Sequence, residues 1–475
     1  MFTTTQTIAR EAPSTGPLGL KTNNVHPPCT MLRVSGTNIV NAAGEQVVLK
    51  GAGLGGMLNM ENFITGYSGH EHEHRAALAE VLGKEKAEFF SSRLIHHFFT
   101  EADAALFASL GVNCLRIPFN YRHFMDDDNP SVIKTEGFVL LDRIVDICAR
   151  HNIYVILDLH AFQLWEALAK HYAGNPVIAG YNPLNEPADP QHTRLQAWFE
   201  RAEKAIRAID PEHILFVDGN TYAMDFRAFN PKKPLPNTVY SCHDYSVMGF
   251  PLPEQYEGTE DQKSKLRSSF NRKVEFMRQA GVPIWNGEFG PVYQNPRIDP
   301  DAAVTNAKRI ALLKEQLPIY RECGGVSWSI WLYKDTGYQG MVYLDPESPY
   351  MRLIQPFVEK KQKLGLDFWG VVDKSGVDGD VYGPFISKLK AMIPEHLHKK
   401  KYPSIWTFDR QVERTVRELL MSEYLGYEFA ELFKDKTEEE LEELAASFAI
   451  ENCKTRDEPN DILRADATQP TTSRA

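Results

Sequence analysis

The sequence lacks the usual marks of a disulfide-stabilised, membrane-spanning or nucleic-acid-binding protein. Only six of its 475 residues are cysteine, and they are scattered along the chain without a Cys-x-x-Cys pair. Cysteines placed in this way are typically small buried thiols, so we predict neither a disulfide framework nor a cysteine-bound metal. No run of about 18 apolar residues is present, so the sequence predicts no membrane span.

Charge and the composition of the N-terminus give further exclusions. The formal net charge is -11, because 63 Asp and Glu outnumber 52 Lys and Arg, so we expect no basic surface for nucleic acid. The N-terminus has no basic start followed by an apolar core, so we predict no secretory signal and expect a cytoplasmic location. The alternate histidines of GHEHEHR (69–75) run into a predicted helix, where residues two apart do not face each other. We therefore predict no metal and no cofactor, and the oligomeric state stays open.

Short apolar segments alternate with longer amphipathic ones over residues 31–395, and this alternation predicts an α/β fold. Apolar residues at three- and four-residue spacing predict helices at 100–111, 137–152, 195–210 and 308–323. Eight strands separated by helices favour parallel pairing and, at this length, a closed (β/α)8 TIM barrel. The eight predicted strands are 47–57, 112–119, 154–160, 177–187, 213–220, 238–245, 283–290 and 324–333.

Two segments flank this predicted barrel. Residues 1–30 are rich in Thr, Pro, Gly and Asn without periodicity, which predicts a disordered N-terminal tail. Residues 396–475 predict a helical C-terminal extension of two helices with no strand between them, packed on the barrel and ending in a loose polar segment.

Polar and aromatic residues stand at the ends of six predicted strands, where a closed barrel carries its functional site. They are Arg116, His160, Asn185, Glu186, His243, Tyr245, Glu288, Trp328 and Trp331. Glu186 follows the fourth strand and Glu288 the seventh, so the two carboxylates face each other across the barrel mouth. Cleavage of a glycosidic bond requires such a pair, one to protonate the leaving oxygen and one to attack the anomeric carbon or activate water.

The neighbours of the two glutamates fit this division of work. Arg116 and Tyr245 can donate hydrogen bonds to Glu288 and keep it ionised, as a nucleophile requires. Arg116 alone would equally suit a structural ion pair with a buried carboxylate.

Three further residues are candidates around Glu186. Asn185 can hold a sugar 2-hydroxyl, whose hydrogen bond strengthens in the transition state. His160 and His243 can form the network that raises the pKa of Glu186 for acid catalysis. Each histidine alone would more often be a hydrogen-bonded core residue. A catalytic site is therefore predicted from all of these residues together.

The motifs at these strand ends resemble those of glycoside hydrolase family 5, a large group of retaining (β/α)8 glycosidases. The motifs are LRIPF, LDLH, GYNPLNEP, HDY, NGEFG and SWSIW, and the resemblance covers roughly residues 31–390. It implies that Glu186 is the acid/base and Glu288 the nucleophile. It also implies that a tryptophan of the eighth strand stacks on the sugar, which we assign to Trp328 with Trp331 as the alternative.

The stretch GLGGMLNMENFITG (53–66) narrows the resemblance. It is similar to the Gly-Gly-Trp-Leu-x-x-Glu-Pro stretch of fungal exo-β-glucanases within the family, where the glutamate binds the terminal sugar, a role that carries over to Glu61. Met57 replaces the tryptophan and Asn62 the proline, which leaves the linkage open. The resemblance therefore implies a retaining hydrolase that acts on a β-glucoside or a short β-glucan, with carbohydrate as its only expected partner.

One departure from the family concerns the segment after His160. Similar proteins continue with a longer loop containing Pro-Gly-Gly-Gln-Asn, whereas here Ala161-Phe162-Gln163 runs almost directly into a predicted helix at 164–172. A short loop still allows the barrel to close, but it removes part of the cleft wall and the positioning of His160. We therefore expect the fold to be intact and the activity to be impaired by this loop. The alternatives are a non-catalytic carbohydrate-binding barrel, an endo-glucanase or mannanase, and a diglycosidase.

Overall fold

A computed structural model describes residues 26–159, 162–297, 299–364, 366, 380–381, 383–398 and 408–469, and at its centre is a closed barrel of eight parallel strands. Each strand pairs with the next, and the eighth closes on the first with Trp328 opposite Lys50. The predicted (β/α)8 barrel is thus confirmed, and every predicted strand segment contains an observed strand. In chain order the strands are Lys50–Gly53, Cys114–Phe119, Tyr154–Leu159, Ile178–Asn182, Ile214–Asp218, Thr238–His243, Ile284–Glu288 and Ser327–Ile330.

Helices connect these strands around the outside of the barrel. They lie at Asn62–Thr65, Glu71–Leu82, Lys84–Phe98, Glu101–Ser109, Glu136–Arg150, Phe162–Tyr172, Leu195–Arg207, Glu260–Lys273, Glu275–Ala280, Ala302–Glu322 and Pro349–Lys363. The connection between the fifth and sixth strands is different, because its described part contains only the helical turn Asn220–Ala223. Of the helices in the described ranges, none is long and apolar enough to cross a bilayer.

The connection after the third strand is as short as the sequence indicates. That strand ends at Leu159 and the next helix begins at Phe162, so only two residues separate them, and these lie outside the described residues. The third strand nevertheless pairs with the second and the fourth. The barrel therefore closes despite the short connection.

Side chains alternate along each strand between the inside of the barrel and the surrounding helices. On the third strand Tyr154 and Ile156 pack in the inner cluster, whereas Val155 and Leu157 pack in the outer one. The inner cluster is apolar throughout, and its members from the strands are Cys114, Tyr154, Ile156, Ala179, Ile214, Phe216, Val239 and Trp285. The polar strand ends thus lie above a packed layer of apolar side chains.

An N-terminal hairpin covers the base of the barrel. Its strands are Arg33–Ser35 and Asn38–Val40, and Leu32 and Ile39 pack against the inner cluster. The preceding residues also contact the barrel, since the backbone N–H of Thr30 donates to the hydroxyl of Tyr154. Thr30, which the sequence assigned to the disordered tail, therefore contacts the barrel. Residues 1–25 of the predicted tail lie outside the described residues.

The C-terminal extension packs closely on the helices of the barrel. It contains helices at Gly383–Lys390, Phe408–Glu413, Ser422–Glu431, Glu438–Ala446 and Asp457–Ala467, with a π-helix at Arg414–Met421. The last three α-helices contact the second and third helices of the chain and the long helix Ala302–Glu322.

A short strand also lies near the end of the extension, where the sequence predicted the start of a loose polar segment. Cys453–Thr455 pairs antiparallel with Val342–Leu344, which pairs parallel with Lys334–Asp335. Together with the helix Asp457–Ala467, this strand gives regular structure to the segment that was expected to be loose, and a strand of three residues is too short to produce a periodic pattern.

Asp466 in the last helix anchors the extension to the first and eighth strands. Its carboxylate forms an ion pair with Lys50 at 3.1 Å and accepts a hydrogen bond from the indole nitrogen of Trp328 at 3.0 Å. The guanidinium of Arg321 contacts the same carboxylate. Lys50 and Asp466 are both buried, so each charge depends on the other for compensation.

We expect the Asp466→Ala substitution to lower the free energy of unfolding by about 3–5 kcal/mol, because it leaves the buried Lys50 unpaired. Urea denaturation followed by tryptophan fluorescence measures the change. The matched control is Asp461→Ala, because Asp461 is exposed on the same helix and forms a surface ion pair with Arg464, three residues on. Equal stability of the two variants would contradict the anchoring role of Asp466.

Candidate active site

The alternation of side chains brings charged residues to the top of the barrel interior. On the second, third and fifth strands an inward apolar residue is followed two positions later by Arg116, Asp158 and Asp218 respectively. His243 ends the sixth strand and Glu288 the seventh, and these two residues are paired in register. Five ionisable side chains therefore meet at the C-terminal end of the barrel.

Arg116 contacts several polar residues at the barrel mouth. It is 1% exposed, and its Nη1 donates to Oε1 of Glu288 at 2.5 Å. Its Nη2 lies 2.7 Å from Oδ2 of Asp158 and donates to Oδ1 of Asn185 at 2.5 Å. The guanidinium also lies 5.6 Å from the ring centroid of Trp331. One buried cation thus fixes residues from four different strand ends.

Glu288 is held in its ionised form. Burial would raise its pKa, but the positive charges of His243 and Arg116 outweigh burial and bring the pKa below its ordinary value of 4.5. The hydroxyl of Tyr245 donates to Oε2 of Glu288 at 2.9 Å, which further stabilises the carboxylate. These contacts are the ones expected from the sequence for Arg116 and Tyr245.

Glu186 lies in the loop after the fourth strand, with an unusual backbone conformation. Its φ of 46° is in the left-handed region, which is unfavourable for a residue with a side chain. The conformation is held because the backbone N–H of Glu186 donates to Oδ2 of Asp218 at 2.9 Å, while Asn182 donates to the other oxygen of that carboxylate. Asp218 therefore positions Glu186 through its main chain.

The protonation of Glu186 differs from that of Glu288. Burial raises the pKa of Glu186 above its ordinary value, although its hydrogen bond with Nδ1 of His243, 2.6 Å long, acts in the opposite direction. Burial would also lower the pKa of His243, but the carboxylates of Glu288 and Asp218 and the contact with Glu186 raise it to about 9. A protonated His243 thus lies between a carboxyl group with a raised pKa and a carboxylate with a lowered one.

A cavity of about 190 Å³ lies at the barrel mouth. Its lining residues are Asn59, Glu61, Phe63, Arg116, Pro118, Asp158, Asn185, Glu186, Tyr245, Glu288, Trp331 and Gln339. Glu61 is half-buried in this wall, and burial together with the charges of Glu288 and Glu186 raises its pKa to about 8. The structure therefore brings Glu61 into the same cavity as the two candidate catalytic glutamates.

The two candidate tryptophans occupy different sides of the barrel wall. Trp331 lines the cavity, whereas Trp328 is 1% exposed in the outer core and donates to Asp466. The assignment of Trp328 as the sugar-stacking residue is therefore corrected in favour of Trp331. The reason is geometric, because side chains alternate between the two faces of a strand, and Trp331 directly follows the strand at an odd separation of three residues from Trp328. His160, the remaining candidate, lies outside the described residues.

The site also offers a set of possible metal ligands. Glu186, His243 and Glu288 each present one ligand atom, and these atoms lie within 4.8 Å of one another. These atoms already have partners among the described residues, because Nδ1 of His243 forms a hydrogen bond with Glu186, and the two oxygens of Glu288 accept hydrogen bonds from Arg116 and Tyr245. The arrangement therefore suits proton transfer and nucleophilic attack better than metal binding.

Comparison with known proteins identifies the family. Residues 82–337, more than half of the chain, match the family model described as Cellulase (glycosyl hydrolase family 5). A protein named Beta-xylosidase from Phanerodontia chrysosporium is 50% identical over 471 aligned residues, covering 92% of this chain and 98% of that protein. The chain belongs to glycoside hydrolase family 5. It is therefore an O-glycosyl hydrolase.

More distant relatives of this family 5 chain carry other names. Endoglucanase C from Acetivibrio thermocellus is 24% identical over 331 residues, covering 55% of this chain and 91% of that protein. A solved endoglucanase, Cel5A from Thermotoga maritima, is 19% identical with a TM-score of 0.44, covering 51% of this chain and 84% of that one.

Sequence reasoning missed four polar residues of this family 5 site. Asp158 and Asp218 belong to the strand ends LDLH and FVDG, where their position two residues beyond an inward apolar residue was an available signal. Asn59 lies in the stretch 53–66, from which only Glu61 was selected, and Gln339 lies in the loop after the eighth strand, where no periodicity or motif of the sequence marks it.

Two glycines allow Trp331 to lie against the first strand. A Cβ at Gly53 or Gly55 would come within 2.6–2.7 Å of carbon atoms of the Trp331 ring. We expect Gly55→Ala to displace the ring and to lower kcat/KM on aryl β-glycosides by roughly 100-fold, the effect of a misplacement of about 1 Å.

Steady-state kinetics of Gly55→Ala beside Gly426→Ala test this expectation. The control position is in a helix of the extension, where a new Cβ meets nothing closer than 3.5 Å. A Gly55→Ala enzyme with unchanged kcat/KM would show that the ring position does not matter for the reaction.

Proposed function

We propose that this chain hydrolyses β-glycosides with retention of configuration, and that its preferred substrate is a β-xyloside. The observation that carries the proposal is the pair Glu186 and Glu288. One has a raised and the other a lowered pKa, so at a mildly acidic pH one is a proton donor and the other an ionised nucleophile. Such an opposed pair in one cavity is the requirement for double displacement.

The separation of the two carboxyl groups supports retention rather than inversion. One oxygen of Glu186 and one of Glu288 lie within 4.8 Å of each other. Retaining enzymes have carboxyl groups about 5–5.5 Å apart, whereas inverting enzymes need about 6.5–9.5 Å to accommodate a water molecule. The short separation therefore favours direct attack by Glu288 on the sugar.

The proposed reaction has two steps. Glu288 forms a bond to the anomeric carbon as the bond to the leaving oxygen breaks, and Glu186 gives its proton to that oxygen. Glu186, now ionised, then takes a proton from water, whose oxygen attacks the anomeric carbon and releases Glu288. Asn185, held by Arg116, is placed to bind the 2-hydroxyl of the sugar during both steps.

The choice of sugar follows from the relatives. The protein named Beta-xylosidase aligns along almost its whole length, while a protein named Probable glucan 1,3-beta-glucosidase A from Emericella nidulans matches at 28% identity over 42% of this chain. A β-glucoside, the substrate expected from the sequence, differs from a β-xyloside by one hydroxymethyl group. The β-glucoside is therefore the proper comparison substrate. A β-1,4-glucan tests the endo-acting alternative, and a disaccharide glycoside tests the diglycosidase alternative.

We expect Glu288→Gln to lower kcat/KM on 4-nitrophenyl β-xyloside by at least about 1,000-fold, because no covalent intermediate can form. We expect Glu186→Gln to lower it by about 100- to 10,000-fold. With a 2,4-dinitrophenyl leaving group, which needs no proton, the first step of Glu186→Gln should recover while Glu288→Gln stays inactive. Nuclear magnetic resonance of the first product in the parent reaction should show the β-anomer.

Two outcomes would contradict this proposal. An α-anomer as the first product would show inversion and exclude Glu288 as the nucleophile. A folded parent without turnover on any of these glycosides would favour the non-catalytic carbohydrate-binding alternative. The next experiment would then be to lengthen the short segment after Leu159.

The pH dependence follows from the same two groups. Activity requires an ionised Glu288, so it should be lost as the pH falls through a value below 4.5, and it requires a protonated Glu186, so it should be lost as the pH rises through a value above 4.5. His243 lowers the pKa of both glutamates. We therefore expect His243→Asn to move both limbs of the kcat/KM profile to higher pH.

The exposed His171, which pairs with Asp142 on the outside of the barrel, gives the matched control His171→Asn. Its profile should coincide with that of the parent. Limbs that stay in place in His243→Asn would show that the charge of His243 does not act on the two glutamates.

A further inference from the structure

The side-chain amide of Gln339 is a feature of the cavity that the proposed reaction does not use. Gln339 is 3% exposed and lines the cavity, in the loop after the eighth strand. Among the described residues, neither its Oε1 nor its Nε2 has a hydrogen-bond partner. Buried amides are almost always hydrogen-bonded, so an unpaired one at a cavity wall points to a partner that arrives from the cavity.

The backbone around Gln339 is firmly held. The carboxylate of Asp335 accepts hydrogen bonds from the backbone N–H groups of Gly337 at 2.8 Å, Tyr338 at 3.1 Å and Gln339 at 2.6 Å. A loop tied at three consecutive amides presents its side chains in a fixed position, as a binding site requires. The unpaired amide group of Gln339 therefore has a fixed position in the cavity wall.

The C-terminal extension fixes the same loop from behind. The guanidinium of Arg456 contacts the carbonyl of Gly337 and donates to that of Gly340 at 2.9 Å. It lies between the rings of Tyr293 and Tyr343, with centroids 4.2 and 4.6 Å away. The extension therefore holds the backbone on both sides of Gln339.

The order of the strands shows which part of a substrate Gln339 would meet. The eighth strand neighbours the first, so Gln339 forms one wall with Asn59 and Glu61. Glu186 follows the fourth strand, on the opposite side of the barrel, and it gives its proton to the leaving group. The wall that contains Gln339 therefore faces the sugar on which Glu288 acts, away from the scissile bond.

We propose that Gln339 binds the 3- or 4-hydroxyl of this sugar, with Nε2 donating to the hydroxyl oxygen and Oε1 accepting its proton. The inference rests on the proposed glycosidase function and adds a specificity-determining residue to it. A side-chain amide has an N–H donor and a carbonyl acceptor, and a hydroxyl can accept one hydrogen bond and donate another at the same time. A sugar without that hydroxyl would leave the buried amide unpaired and be rejected.

The test compares parent and Gln339→Leu on 4-nitrophenyl β-xyloside and on its 3-deoxy and 4-deoxy analogues. We expect the substitution to lower kcat/KM on the full xyloside by about 10- to 100-fold and to have less than about a threefold effect on one of the analogues. Gln279→Leu, the same change at an exposed helix position, is the matched control and should behave as the parent. If the leucine variant does not fold, Gln339→Glu keeps the size and removes the Nε2 donor.

A loss of equal size on all three substrates would overturn the proposal, because it would indicate a structural role. No loss on any of them would overturn it as well. Calorimetric titration of both proteins with methyl β-xyloside and its deoxy analogues gives the same comparison without turnover. A parent that binds these sugars without hydrolysing them would therefore refute the glycosidase proposal and still decide the role of Gln339.

Discussion

The buried guanidinium of Arg116 is the interaction on which the rest of the site depends. A buried charge is tolerated only when it is paired, and Arg116 is paired with Asp158 and Glu288 inside the barrel mouth. The same group orients Asn185 and lies against the ring of Trp331. Because these partners come from four strand ends, the cation sets both the charge of Glu288, the proposed nucleophile, and the shape of the cavity around it.

Two identical side chains acquire opposite pKa shifts through this charge distribution. Both are subject to burial, but Glu288 contacts the two cations Arg116 and His243, which bring its pKa below the ordinary value, whereas the contact of Glu186 with His243 does not outweigh burial. His243 is itself kept protonated by the carboxylates around it, with a pKa of about 9. The difference in protonation between the proposed acid and the proposed nucleophile is thus a property of the whole cluster, and a change at any one charge should alter the pKa of both glutamates.

The sequence predicts the barrel and most of the site because both depend on short periodicities. Strand segments followed by polar residues sufficed to find Glu186, Glu288 and Arg116, and a similarity of one loop sufficed for Glu61. To choose between Trp328 and Trp331, one must know which residues at the eighth strand point into the barrel. The motif SWSIW alone does not reveal this. Gln339 could not be found, since its role depends on a loop folded by contacts more than a hundred residues away in sequence.

Those distant contacts make the C-terminal extension part of the active site. Asp466 fixes the outer face of the eighth strand through Trp328, and Arg456 fixes the loop that follows this strand. One short segment of the extension thus holds the strand and the loop that together present Trp331 and Gln339 to the cavity. Since positioning errors of about 1 Å are costly in catalysis, residues of the extension that touch no substrate should still govern which sugar fits.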